Sequence, residues 1–333
     1  FSDNGNGGNA YITGGAIYNA GSTLNIANST FNNNVARGPG KNGGAIYSTG
    51  VIKISDTEFV NNTADNLGGA IYTTQTANIT GSNFTNNTAD AHGGAVYTNN
   101  NLELHNSIFS ENSAETGNGG AVYGTNIKAY DSTFNDNIAD GYGGAVYGTS
   151  LSASNSTFNR NTADVGGAVY TTSLVNITDS DFNDNFALSD GGAIFGGTSS
   201  TISVSESNFT NNTAISGGAI YCSDKSNVNI SDSIFDKNVA IDNGGAVYGD
   251  MTNSLTVSKS NFTDNVATMG AAIYETNKID VNESIFTNNT KSTIYMGSGH
   301  IDKSNFTSTD IPMVYVNQGL SINETTFNGE EPS

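Results

Sequence analysis

The chain has 333 residues, with 40 Gly, 3 Pro, one Cys, no Trp, and 11 Lys plus Arg against 31 Asp plus Glu, a formal charge of −20. That charge repels nucleic-acid phosphate and anionic lipid, which excludes nucleic-acid binding, and Cys222 alone makes neither an intrachain disulfide nor a thiolate zinc site. No apolar run reaches the roughly 20 residues of a membrane-spanning helix, so this segment is not expected to insert into a membrane; Phe1 begins inside a repeat, as expected of a segment of a longer protein from which any signal peptide or anchor has been removed.

One unit recurs along the chain, and its parts fall in a fixed order. First comes an apolar pair two residues apart, such as Leu24/Ile26, Ile52/Ile54, Leu102/Leu104, Val175/Ile177 and Leu255/Val257. Five residues after the second member stands a Phe, with Ser or Thr two positions before it: Ser107/Phe109, Ser132/Phe134, Ser207/Phe209. Apolar residues at alternate positions with Asn, Asp, Thr and Lys between them describe strands with one solvated face. An Asn follows each Phe by three residues, from Phe31/Asn34 and Phe59/Asn62 to Phe286/Asn289. Phe31 to Phe286 is ten steps over 255 residues, a period of 25.5.

Two residues past the Asn lies an Ala (Ala64, Ala89, Ala114, Ala139), suited to a tight corner, and then the string G-G-A-[IV]-[YF]. That string occurs ten times, from Gly14 to Tyr18 through Gly244 to Tyr248. The paired glycines permit a bend that a side chain would block. No segment shows a helical apolar stripe, and Gly and Asn are too dense for helix. A period near 25 built from short strands predicts an all-β solenoid, a right-handed parallel β-helix with three sheets and about 13 coils of about 25 residues. Equivalent residues of successive coils then stack: Phe on Phe inside, and Asn bridging coils by donating to one neighbour and accepting from the next.

After Gly270-Ala271-Ala272-Ile273-Tyr274 the repeat loses its glycines, although Tyr295 and Tyr315 persist. Phe306 and Phe327 lack the following Asn, and Phe spacing falls to 20 and 21. The expected organisation is therefore regular coils over 1–289, then narrower degenerate coils and a C-terminal cap over 290–333.

The alternation of F-x-x-N with G-G-A-[ILV] resembles the repeat of the chlamydial polymorphic membrane proteins, and is similar to Asn/Thr-rich adhesin-like proteins of gut methanogenic archaea. The resemblance covers residues 1 to about 289. It implies a large extracellular protein whose β-helical region acts in surface attachment. The family's membrane-translocation barrel or wall anchor has no counterpart in this segment.

Three sets of residues are candidates for function. In G-G-A-[IV]-Y, Ile or Val and Tyr point to opposite faces. The Tyr column, including Tyr97, Tyr123, Tyr147, Tyr170, Tyr221 and Tyr248, is thus expected outward, as a platform for sugar rings or protein side chains; the alternative is a stacked ladder that protects the sheet. The acids six residues after Phe (Asp65, Asp90, Glu115, Asp140, Asp164) repel one another, and Ca²⁺ between coils is one way to relieve that. Ordinary exposed turns are the other, since these acids lack the D-x-D spacing of dedicated calcium loops, and no metal ligand is assigned. Fifteen N-x-[ST] sequons, among them Asn61-Asn62-Thr63 and Asn288-Asn289-Thr290, are glycosylation acceptors if the chain is secreted.

The expected function is a non-enzymatic extracellular adhesin or stalk of a cell-surface protein, whose partner is a protein or glycan of another cell. The alternatives are a polysaccharide lyase or hydrolase, a class that also uses parallel β-helices, and a pure spacer. Against the enzyme, His92, His105, His300, Arg37 and Arg160 form no cluster in sequence, and near-constant coil length leaves no long loops to wall a cleft. No catalytic residue or cofactor is assigned.

Overall fold

The computed structural model describes residues 1–5, 13–310 and 312–329. The last four residues of the predicted C-terminal region fall outside them. The chain divides by internal packing into two compact units, Phe1–Asp164 and Val165–Ser333. Each is a solenoid of parallel strands, and no described residue is helical.

In the first unit, strands pair with their equivalents one coil away. Phe84 faces Phe109, Ala89 faces Ala114, and Tyr97 faces Tyr123, all in parallel register. Three sheets result, as the repeat predicts, but the apolar-pair, Phe and Tyr strands do not each form a sheet of their own. The Tyr strand and the apolar-pair strand belong to the same sheet, and in Val122–Tyr130 and Val146–Ser154 they are one unbroken strand. The third sheet is instead built from two-residue strands around the small Ala, such as Thr88–Ala89 and Ser113–Ala114. The expected corner is therefore a short strand, hidden in sequence because it is only two residues long and its outer residue varies among Thr, Ser, Val and Ile.

Corners occur where residues adopt positive φ. In one coil these are Asn106 (φ 46°), three before Phe109, and Glu111 (φ 59°), two after it. Asn, Asp and Gly recur at these positions because they tolerate the left-handed region best. The first glycine of each pair makes a further corner, as Gly93 does at φ 65°. The second serves a different need. A Cβ on Gly94 would collide with the Gly120 carbonyl oxygen of the next coil, so the backbones touch there.

The Phe rings fill the interior. Phe59, Phe84, Phe109, Phe134 and Phe158 are fully buried, with successive described centroids 4.6–5.1 Å apart and rings nearly parallel. Beside them runs the Asn ladder. Asn112 Nδ2 donates to the Phe84 carbonyl and to Asn137 Oδ1, both at 3.0 Å, while its Oδ1 accepts from the Asn87 backbone N–H and Nδ2. All four valences of a buried amide are satisfied, which removes the desolvation penalty that otherwise keeps Asn out of cores. A Ser ladder flanks the other side of the Phe strand. Ser107 Oγ donates to the His105 carbonyl at 2.8 Å and accepts the Ser82 N–H at 3.3 Å.

The second unit repeats this plan through Phe182, Phe209, Phe235, Phe262 and Phe286, then changes. Its last Ala strand is Val239–Ala240, and the Asn ladder ends at Asn289. The Phe and Tyr stacks nonetheless continue to Phe327 and Tyr315. Tyr274 follows Phe262 by 12 residues, whereas Tyr295 follows Phe286 by nine and Tyr315 follows Phe306 by nine. The coils narrow because the segment that carried the Ala strand has been shortened.

Candidate functional site

Ile and Val of the G-G-A-[IV]-Y strands are fully buried, as Val96, Val122 and Val146 show, which leaves the Tyr side chains on the opposite face. They are not freely exposed there. Tyr123, Tyr147, Tyr170, Tyr221 and Tyr248 are half-buried, and Tyr97 retains only 8% of its surface. In the first unit the rings of Tyr47, Tyr72, Tyr97, Tyr123 and Tyr147 stack at 4.7–5.4 Å. In the second, Tyr170, Phe195, Tyr221, Tyr248, Tyr274 and Tyr295 stack at 4.6–5.1 Å. The ring faces along each column are thus occupied by neighbouring rings. Along the column this is the stacked ladder given as the alternative, and what it leaves at the surface is a ribbon of ring edges and phenol oxygens.

Burial strengthens the hold of Tyr97, Tyr123, Tyr221 and Tyr248 on their phenolic protons. Burial pushes the Tyr97 hydroxyl up to about 12, with Tyr123 and Tyr72 adding to it, and Tyr97 donates to Asn99 Oδ1 at 2.7 Å. Burial, then Asp250, raises Tyr248 to about 12, and Tyr221 rises for the same two reasons. The column therefore presents hydrogen-bond donors on an acidic molecule.

The acids six residues after Phe lie at exposed or half-exposed corners. Asp65 Oδ2 accepts the Gly38 N–H at 2.7 Å, and Asp90 is raised first by burial and then by the charge of Asp65. Among the described residues no group of three His, Cys, Asp or Glu is placed to hold a metal ion. In the second unit the same column turns apolar: Leu188, Ile215 and Ile241 occupy it and are exposed, beside exposed Phe186, Val266 and Met269.

Three of the imidazoles and guanidiniums considered for catalysis have structural or surface partners. His92 stacks on Tyr123 at 5.2 Å and accepts the Asn118 N–H on Nδ1, with burial lowering its pKa. His105 meets Glu103 at 3.2 Å, and Arg160 grips Asp136 with two bonds of 2.8 Å.

Two features escaped the sequence. Glu275 is a buried carboxylate on the inner face one residue past Tyr274. Its Oε2 accepts from Thr252 Oγ1 at 2.5 Å and from the Thr252 N–H, while Oε1 accepts the Asn277 N–H at 2.7 Å. The second is a pocket of about 450 Å³ in the second unit, lined by Met269, Lys291, Ser292, Tyr295, Asp310, Pro312 and Tyr315. The shortened Phe-to-Tyr interval was the signal available for it.

No helix among the described residues is long and apolar enough to cross a membrane. No curated protein and no solved structure matches the chain. The Chlamydia polymorphic membrane protein repeat, by contrast, matches nine successive stretches: residues 28–49, 56–74, 81–99, 106–125, 131–149, 155–172, 179–197, 206–223 and 232–250. Each runs from a Phe strand to the following Tyr strand, more than half the chain in all. With that coverage and the stacked parallel coils it predicts, the chain belongs to the Chlamydia polymorphic membrane protein repeat family.

Proposed function

We propose that this chain is a non-enzymatic segment of a larger cell-surface protein, extracellular and adhesive, which engages a protein or glycan of another cell along its Tyr columns. The observation that carries this reading is the recurrence of one aromatic edge per coil, a phenol in every coil but that of Phe195, about 5 Å from the next. Each contact is weak, but an extended partner meets many at once, and linked contacts strengthen binding when the geometry lets them engage together. Membership of a repeat family named for membrane proteins supports the surface location. The exposed sequon residues Asn61, Asn86, Asn211 and Asn288 are positioned for glycan attachment.

The test uses Tyr123→Phe, Tyr147→Phe and Tyr170→Phe together. Phe195 already stands in the column, so the hydroxyls can go while the ring stack stays. Binding of the fragment to cells and to long glycans is expected to fall in the triple variant, with an unchanged circular dichroism spectrum. Equal binding by parent and variant places adhesion elsewhere. Absence of specific binding by either chain favours the spacer, and depolymerisation of a polysaccharide favours the enzyme.

A further inference from the structure

The pocket in the narrowed coils exists because a wall stops. Up to Met269, each coil carries a segment between its Asn and its Tyr strand that flanks the Tyr edges. The three residues lost between Phe286 and Tyr295 remove that segment, so Tyr295 and Tyr315 have an open flank with Met269 as its rim.

The polar groups lining this step are half-used. Asp310 Oδ2 accepts the Lys291 N–H at 2.6 Å, which leaves its other oxygen as an acceptor. Ser292 Oγ accepts the Gly270 N–H at 3.0 Å, and the Tyr295 oxygen accepts from Asn317 Nδ2 at 2.8 Å, so both keep a proton to donate. The Lys291 ammonium forms no ion pair among the described residues and is a donor only. Asp310, Ser292 and Tyr295 are thus held by the wall with capacity left for a ligand, and the exposed Lys291 side chain can reach one. Around them Met269, Pro312 and the ring edges supply apolar surface.

We propose that this step is a binding site for one neutral pyranose unit, free or at a glycan end. A sugar hydroxyl both donates and accepts, so a pair of adjacent hydroxyls satisfies an acceptor-only carboxylate and a donor-only ammonium together. The sugar's C–H edges fit against Tyr edges and Met269. Lys291 and Asp310 give the lining one charge of each sign, and the molecule's formal −20 disfavours an anionic ligand. The volume of about 450 Å³ admits a monosaccharide with room for a linked residue.

The site does not depend on the Tyr columns of the regular coils, and its test can fail separately from that of adhesion. The probes are the methyl α- and β-pyranosides of glucose, galactose and mannose, with methyl glucuronide as the anionic comparison. The chain has only 4 Met, so methyl-labelled Met gives a sparse NMR spectrum in which Met269 reports directly on the step. At least one neutral pyranoside is expected to shift the Met269 resonance with a millimolar Kd. Asp310→Asn, which still accepts the Lys291 N–H, is expected to weaken binding by about tenfold or more. Lys291→Asn is expected to do the same, and Asn tolerates the φ of 52° found there.

The Tyr123→Phe, Tyr147→Phe, Tyr170→Phe variant is expected to bind the pyranosides as the parent does. No Met269 shift with any neutral pyranoside overturns the proposal, as does tighter binding of the glucuronide or full affinity in Asp310→Asn. If a variant fails to fold, the shift in the parent chain still decides. Pyranoside binding without attachment to cells would sink the adhesin reading and leave the pocket; attachment without pyranoside binding would do the reverse.

Discussion

Phe134 shows what a single stacked position contributes. Its ring is fully buried between Phe109 at 5.1 Å and Phe158 at 4.8 Å, whereas Thr133 next to it lies on the outer side of the strand. Phe134→Ala is expected to lower stability by about 3–5 kcal/mol, since neighbouring coils cannot collapse into the gap, and Thr133→Ala to change it little. Denaturant melts of the two variants check this. Glu275 makes a pH prediction. Burial raises its pKa, and the Thr252 and Asn277 hydrogen bonds offset that only in part. With the folded value above the unfolded one, the folded state holds the proton more tightly. Stability is then greatest below the ordinary carboxylate range and falls as pH rises through the raised value. Glu275→Gln is expected to flatten that part of the melting temperature against pH, as read by calorimetry; an unchanged profile would mean the carboxylate does not titrate in the fold.

At the scale of the element, strand placement is governed by how closely successive backbones approach. Gly94 faces Gly120 across one rung, and any Cβ there overlaps the carbonyl oxygen and the Ser113 backbone. Gly94→Ala is therefore expected to abolish cooperative unfolding of the first unit or lower its melting temperature strongly. Gly93→Asn keeps a residue that tolerates φ near 65° but still places a Cβ close to the Val96 carbonyl, so it is expected to cost less than Gly94→Ala without being silent. Circular dichroism melts rank the two, and equal losses would show that the second glycine is not set by contact between coils. The Ala strand belongs to this scale as well. It is last formed at Val239–Ala240, shrinks to a single bridge at Val266 in the coil of Tyr274, and is gone at Tyr295, where the step pocket opens.

For the molecule as a whole the dominant quantity is the formal charge of −20, carried largely on solvated corners. Self-repulsion of that size is screened by simple salt. Raising the NaCl concentration is expected to raise the melting temperature. Millimolar Ca²⁺ at matched ionic strength is expected to add nothing after chelator treatment, because the acids from Asp65 to Asp164 are not gathered into a ligand set among the described residues. A further rise specific to Ca²⁺ would restore the idea of ions held between coils.

Much of this architecture was legible in the bare chain, because identical residues at a constant interval leave only one way to bury every Phe and pair every Asn. The period, the inward Phe, the bridging amides and the outward Tyr all follow from local pattern plus stacking. Quantities set by contact between coils were not legible. The Tyr faces are closed because rings one rung apart lie near 5 Å, a distance no single repeat encodes. The union of the Tyr and apolar-pair strands in one sheet depends on an extended connection through Thr125 and Asn126, which composition alone does not distinguish from a corner. Glu275 reads as an ordinary surface acid until the neighbouring coil supplies Gly249, whose missing side chain makes room for the carboxylate, and Thr252, which bonds it. The step at Tyr295 is written in the sequence as three missing residues, but only their place in the stack turns the gap into a pocket.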